Sequence, residues 1–214
     1  MSKETILCMF SGGLDSYGCA WKLLSSDEYK GCNIHMHHMH HMHVMNRETR
    51  EFQEAQASRN FFKAVKDTTE QKIQYTENVM DFRFINRGSF PMDCSLYGFV
   101  AAQICNNNKN ISSVAFGRTK TDATPDGGMA RYLSRGREIF TAALLDNRRY
   151  QIEYIYPVGE MTKRDIYDFL PENLRSSFWS CRTPNGKEAC GKCITCKEFA
   201  ENGIIHPIGV DKPE

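Results

Sequence analysis

No stretch of this sequence stays apolar for the ~20 residues that a membrane-spanning helix needs, which excludes a helical span. No sign of charge dominates: 27 lysines and arginines stand against 26 aspartates and glutamates, for a net charge of +1. That balance supplies no bulk attraction to nucleic acid or to an anionic membrane. The opening residues, Met1-Ser2-Lys3-Glu4-Thr5, lack the pattern of a signal peptide. There is no internal repeat and no low-complexity linker, so at 214 residues one domain, or one domain with an appendage, is expected. Two common nucleotide fingerprints, Gly-x4-Gly-Lys-Ser/Thr and Gly-x-Gly-x-x-Gly, are also missing. Cysteine is not missing. There are nine, an odd number, and four of them crowd one short segment. This favours metal binding in a reducing compartment over a disulfide framework, and hence a soluble cytoplasmic protein. A hydrophobic fraction of 41% is enough for a sizeable core.

The chain is organised around Phe10-Ser11-Gly12-Gly13-Leu14-Asp15-Ser16. The apolar run Thr5 to Met9 reads as a buried strand ahead of it. Tyr17 to Leu24 has helical spacing behind it. A strand, a Gly-Gly turn and a helix start together make an anion site. Glycine lets the backbone approach the ligand, and the free amides and dipole of the helix end hold its charge. Ser11 and Ser16 add hydroxyl donors. The plainer alternative is a Gly-Gly turn capped by Asp or Ser. With all its positions filled in this context, the motif resembles the pyrophosphate loop of the PP-loop ATPases. That resemblance implies ATP held by Phe10 to Ser16, and attack of a substrate oxygen on the α-phosphorus to give an adenylate.

Further along, His35 to His43 places six histidines in nine positions, with Met36, Met39 and Met42 at every third place. No rigid strand or helix gathers all six on one metal. The position suits a second parallel strand running out towards the nucleotide, with one or two histidines near the ligand. A charged helix follows from Asn46, with Phe52, Ala55, Arg59, Phe62 and Val65 close to one face and Asn46 as its cap. Lys72 to Thr76 reads as a short third strand, and Phe82 to Pro91 as a loop over the site. Asp93 to Cys105 reads as a buried helix and Ile111 to Phe116 as the fourth strand. Arg118, Lys120 and Asp122 then stand where open α/β sheets collect ligands, or form a solvated loop. Met129 to Arg149 is helical in spacing and Ile152 to Val158 is the fifth strand. Thr162 caps a helix with Asp165 bonding back, and Lys163 in its first turn either reaches a phosphate or is solvated. Strand–helix alternation argues for an α/β fold: an open parallel sheet, Rossmann-like, with helices on both faces.

Cys181, Cys190, Cys193 and Cys196 form the pattern Cys-x8-Cys-x2-Cys-x2-Cys. Four thiolates suit tetrahedral zinc and leave no open coordination position, so a structural zinc knot is expected. An iron–sulfur cluster accepts the same ligands. The expected organisation is an ATP-binding domain over residues 1–178 and a zinc-binding segment over 179–214 packed on it.

Taken together, the glycine loop and the cysteine knot resemble the 7-cyano-7-deazaguanine synthase (QueC) family, whose fold is of the adenine nucleotide alpha-hydrolase type. Tyr156-Pro157-Val158 with Lys163 resembles a further family segment, and Phe178-Trp179-Ser180-Cys181 with Cys190-Gly191-Lys192-Cys193-Ile194-Thr195-Cys196 matches its zinc segment in spacing. Asn46-Arg47-Glu48 matches more loosely. The resemblance implies a ligase of queuosine biosynthesis that joins a deazaguanine carboxylate to ammonia using ATP and Mg²⁺, with a structural Zn²⁺. It makes Asp15, Ser16 and Lys163 the catalytic candidates, adds Arg118 to the nucleotide contacts, and implies a homodimer. Two family segments are replaced, by Arg87 to Asp93 and by Thr124-Pro125-Asp126-Gly127. This keeps open an amide-only product, a tRNA base or protein terminus as acceptor, or a zinc-bearing nucleotide-binding module without turnover.

Overall fold

A computed structural model describes residues 3–42, 48–84, 93–123 and 129–210. Asn46, Arg47, Thr124 to Gly127 and most of the segment from Arg87 lie outside the described residues. The strands are β1 (Thr5–Met9), β2 (Asn33–Met42), β3 (Ile73–Asp81), β4 (Ile111–Phe116) and β5 (Glu153–Ile155). The helices are α1 (Leu14–Ser25), α2 (Glu48–Val65), α3 (Asp93–Asn107), α4 (Met129–Ala143), α5 (Lys163–Phe169), α6 (Glu172–Arg175) and α7 (Ile194–Glu201). The strands form one parallel sheet in the order β3-β2-β1-β4-β5. Central β1 is buried along its whole length, as a run of Thr, Ile, Leu, Cys and Met demands when both faces are covered.

Alternation along the strands sends side chains to two cores. On one face Ile6, Cys8, Ile34 and Met36 meet Tyr17 of α1, Phe61 of α2, and Phe178, Trp179 and Phe199 of the C-terminal segment. On the other, Leu7, Met9 and Val114 meet Val100 and Ala101 of α3 and Phe140 of α4. Helices therefore cover both faces, as the alternation of elements implies. α3 and α4 cross closely at glycine: a Cβ on Gly136 would stand 2.8 Å from the Cys94 carbonyl oxygen. Among the described residues no helix is long and apolar enough to cross a membrane.

Four elements differ from their sequence reading. β5 spans only Glu153–Ile155 of the expected Ile152 to Val158, because the chain turns at once, Gly159 N–H donating to the Tyr156 carbonyl at 2.9 Å. β3 runs on through Glu77 and Asn78, because the histidines of β2 take up those polar side chains. His37 donates from Nε2 to Asn78 (2.8 Å), while His40 meets Glu77 (3.1 Å) and Glu51. α4 stops at Ala143 because Asn106 caps it, donating to the Ala143 carbonyl and accepting from Leu145 N–H, both at 3.0 Å. Arg148 then folds back to the Ile111 carbonyl at 2.7 Å. On α2 Ala55 and Val65 are buried as read, but Arg59 is exposed and Ala57 and Phe61 take its place, with Phe61 against Phe10 and Tyr17 at centroid distances of 4.9 and 4.8 Å.

Candidate active site

The glycine loop leaves the carboxyl end of β1 at the centre of the sheet. Gly12 adopts φ +85°, and a Cβ there would collide with the Glu54 carbonyl of α2, so glycine is required on both counts. β2 fixes the loop's entry. Phe10 N–H donates to the His37 carbonyl at 2.8 Å, and His38 Nδ1 donates to the Phe10 carbonyl at 2.9 Å. Gly13 is the N-cap of α1 and has no side chain to cap with. Hydroxyls substitute: Gly13 N–H donates to Ser11 Oγ (3.3 Å), Leu14 N–H to Ser180 Oγ (3.0 Å), and Ser16 Oγ to the Gly13 carbonyl (2.9 Å). At the end of β4 Gly117 abuts the same helix start, where a Cβ would stand 2.6 Å from the Asp15 carbonyl carbon.

These elements open on a cleft of about 230 Å³. Asp15 projects into it from the first turn of α1. Its Oδ2 lies 3.6 Å from Lys163 Nζ, and Lys163 lies 2.9 Å from Glu198 of α7. Asp15 Oδ1 is buried with no hydrogen-bond partner among the described residues. Burial pushes the Asp15 carboxyl up to about 6, with Lys163 pulling the other way. Burial also opposes the charge on Lys163, but Asp15, Glu198 and Asp122 outweigh it and hold its pKa above the ordinary value. Opposite this group stands a second polar cluster. Arg50 pairs with Glu54 at 2.8 Å and with Asp93 at 3.5 Å, and His41 approaches Asp93 at 3.2 Å. Burial raises the Glu54 carboxyl despite Arg50, whereas His41 and Arg50 overcome burial at Asp93 and hold its carboxyl low.

Ser11, Gly13, Leu14, Asp15, Ser16 and Lys163 thus gather on one cleft. Phe10 and Gly12 lie behind the loop as its support. Arg118 is placed elsewhere, with its guanidinium 4.8 Å over the Tyr156 ring. Of the histidine tract, His41 borders the cleft. Arg50, Glu54, Asp93, Tyr97, Ser180 and Arg182 also border it, and sequence reasoning missed them. Arg50 and Glu54 carry the i,i+4 spacing of an ordinary surface pair, so spacing alone conceals their burial. Ser180 had a signal in its place beside Cys181.

The sulfurs of Cys181, Cys190, Cys193 and Cys196 all lie within 4.8 Å of one another. Backbone amides reach them, Cys190 N–H to Cys181 Sγ at 3.2 Å and Cys193 N–H to Cys190 Sγ at 3.3 Å. Four converging thiols supported by amide donors make a metal-binding donor set. A tetrahedral ion with sulfur at ~2.3 Å requires sulfur–sulfur distances of ~3.8 Å. Cys190 and Cys196 stand at 4.0 Å.

A parallel 3-2-1-4-5 sheet with a glycine loop and helix start after its central strand defines an α/β nucleotide-binding protein of the PP-loop type. The chain matches the family model described as QueC, Queuosine biosynthesis protein QueC, over residues 5–203, and it belongs to that family. No curated protein matches it. Among solved structures it is similar to the U34-tRNA thiolase NcsA from Methanococcus maripaludis with its 4Fe–4S cluster. The TM-score is 0.53 and the identity 16%, with 93% of this chain and 65% of that chain covered. At that identity the likeness shows the fold alone.

Proposed function

We propose that this chain is a C–N ligase converting 7-carboxy-7-deazaguanine and ammonia to 7-cyano-7-deazaguanine (preQ0). The observation that carries the reading is family membership over nearly the whole chain, joined to a cleft in which Asp15, just after the glycine loop, meets Lys163 of α5. A carboxylate is a poor electrophile until one oxygen becomes a leaving group. Its attack on the α-phosphorus of ATP forms the acyl adenylate and releases pyrophosphate. Ammonia then adds to the carbonyl carbon, and AMP and a proton depart to leave the amide. The amide oxygen attacks the α-phosphorus of a second ATP, releasing pyrophosphate again, and loss of AMP and both N–H protons gives the nitrile. In this scheme amides and hydroxyls at the start of α1 carry the charge on the phosphates, and Lys163 adds a fixed positive charge. Mg²⁺ brought with ATP would be held by Asp15, whose Oδ1 has no partner among the described residues, and would supply positive charge against the phosphates. Zn²⁺ on the four cysteines has a structural role.

A second reading, modification of a tRNA base with an iron–sulfur cluster on the cysteines, draws on the thiolase that shares the fold. Two observations weigh against it. The sulfur spacing fits one ion better than a cluster that spreads its ligands over four irons. The net charge of +1 offers no electrostatic footprint for RNA. Mass spectrometry of the protein with ATP, Mg²⁺, ammonium and 7-carboxy-7-deazaguanine tests the proposal. Nitrile with AMP is expected. Amide alone would mark an enzyme that stops halfway, and no conversion by folded, metal-loaded protein would turn the search to another acceptor.

A further inference from the structure

Ser180 is far from the glycine loop in sequence and adjoins the first cysteine of the cluster. Its hydroxyl nevertheless accepts the Leu14 N–H, the first amide of α1 (3.0 Å). Gly13 is what admits it: a Cβ on Gly13 would lie only 3.3 Å from Ser180 Oγ. Ser180 is held from both sides. Trp179 N–H donates to the Gly12 carbonyl at 2.8 Å, and Ser180 N–H donates to His206 Nε2 at 3.2 Å. A backbone amide only donates, so His206 Nε2 is the acceptor and the ring proton sits on Nδ1, which donates to the Pro207 carbonyl at 3.1 Å. The ring is wedged against Phe178, Trp179 and Phe199 at centroid distances of 5.9, 4.7 and 5.6 Å. The serine hydroxyl borders the cleft, and a hydroxyl that has accepted one bond still has its own proton to give.

We propose that Ser180 is a phosphate-binding residue of the nucleotide site. Without nucleotide its oxygen caps the Leu14 amide. With nucleotide a phosphate oxygen takes that amide, and the Ser180 hydroxyl turns from acceptor to donor towards the same phosphate. The inference rests on the ATP reading above and extends it. The cysteine segment builds one wall of the nucleotide site, and a metal on the cluster keeps Ser180 in place through its neighbour Cys181.

The test is calorimetric titration of Mg·ATP into metal-loaded wild type, Ser180→Ala and Ser180→Thr, with metal content and thermal midpoint recorded for each. Ser180→Ala should keep its metal and bind Mg·ATP about tenfold more weakly, the loss expected of one hydrogen bond to a charged group. Ser180→Thr, which keeps the hydroxyl, should restore most of the affinity. In turnover, KM for ATP should move more than kcat. Affinity unchanged in Ser180→Ala, with only the thermal midpoint lowered, would make Ser180 a plain helix cap and overturn the proposal while leaving the ATP reading intact. Failure of the wild type itself to bind Mg·ATP would instead remove the ATP reading and this inference with it. If Ser180→Ala does not fold, Ser180→Thr against Ser180→Val, alike in shape but for the hydroxyl, decides the same question.

Discussion

Asp15 is held in a way that a purely structural carboxylate would not need. One oxygen shares Lys163 with Glu198 and the other is buried without a partner among the described residues. Burial raises its pKa to about 6, so its charge at neutral pH costs the fold and gains from any cation brought with a nucleotide. Asp15→Ala should therefore leave the thermal midpoint unchanged or higher. It should also lower ATP cleavage by at least about 100-fold, the scale of losing one preorganised electrostatic group. Release of AMP and pyrophosphate, read beside a thermal melt, checks both parts. Cleavage at the wild-type rate would show that the loop is not the catalytic centre. Asp15 was legible from the glycine motif. Its partner Glu198 was not, because nothing in Cys196-Lys197-Glu198 indicates that α7 turns this carboxylate towards Lys163.

Elements were legible where a local rule acts alone. β4 falls at Ile111–Phe116 as read, since a short apolar run between turn signals has one reading. α5 begins with the capping box expected of Thr162 and Asp165: the Thr162 side chain accepts Asp165 N–H (3.2 Å), and Asp165 accepts Thr162 N–H (2.9 Å). Thr162→Ala should cost about 1 kcal/mol, measured by urea unfolding, as the loss of an N-cap does. Elements were misjudged where partners far along the chain intervene. The polar half of β3 is strand because β2 offers histidines across from it. His35 Nε2 and His37 Nδ1 share the Thr76 hydroxyl at 2.7 and 2.8 Å, and Arg59 and Tyr75 complete the bonds of Glu77. From His35 to His41 the histidine tract is a strand in which His35, His37, His38 and His40 each bond a neighbouring element through at least one ring nitrogen, and its residues serve both cores and the cleft.

At the scale of the molecule the cysteine segment ties the fold together. Cys181, Cys196, Trp179 and Phe199 belong to the same core as Phe10 and Tyr17. Cys193→Ser should lower metal content and stability together, by several kcal/mol, because binding energy at such a site is folding energy. Metal analysis with chemical denaturation measures it, and lost metal with full stability would contradict a structural role. Acid should act on the whole fold as well. Burial lowers His35 and His38 to about 4 and lowers His37 and His206 too, against an ordinary value of 6.5. Between about 6.5 and 4 the unfolded chain then binds protons that the folded chain refuses. The stability from these rings is complete above pH 6.5 and is lost as pH falls through that window, on the order of 2 kcal/mol for each of His35 and His38. His40 works the other way: Glu51 first, then Glu77, raise its pKa, so its contribution is present at low pH and fades as pH rises through the raised value. Asp15, raised to about 6, also gains as it protonates, so four rings that lose stand against two groups that gain; the thermal midpoint should fall from pH 7 to pH 5, with metal content followed to separate loss of the cluster.

By itself the sequence determined the parallel α/β class, the glycine loop after its first strand, and four cysteines spaced to converge. Each of these is encoded by neighbouring residues: apolar runs of strand length, glycines where only glycine fits, thiols at short fixed spacings. The tertiary structure alone decided what completes the cleft. Ser180 and Asp93 reach it from segments scattered along the chain, and Glu198 pairs with Lys163 at its edge. Such convergence follows from packing three-dimensional surfaces, for which sequence distance carries no information.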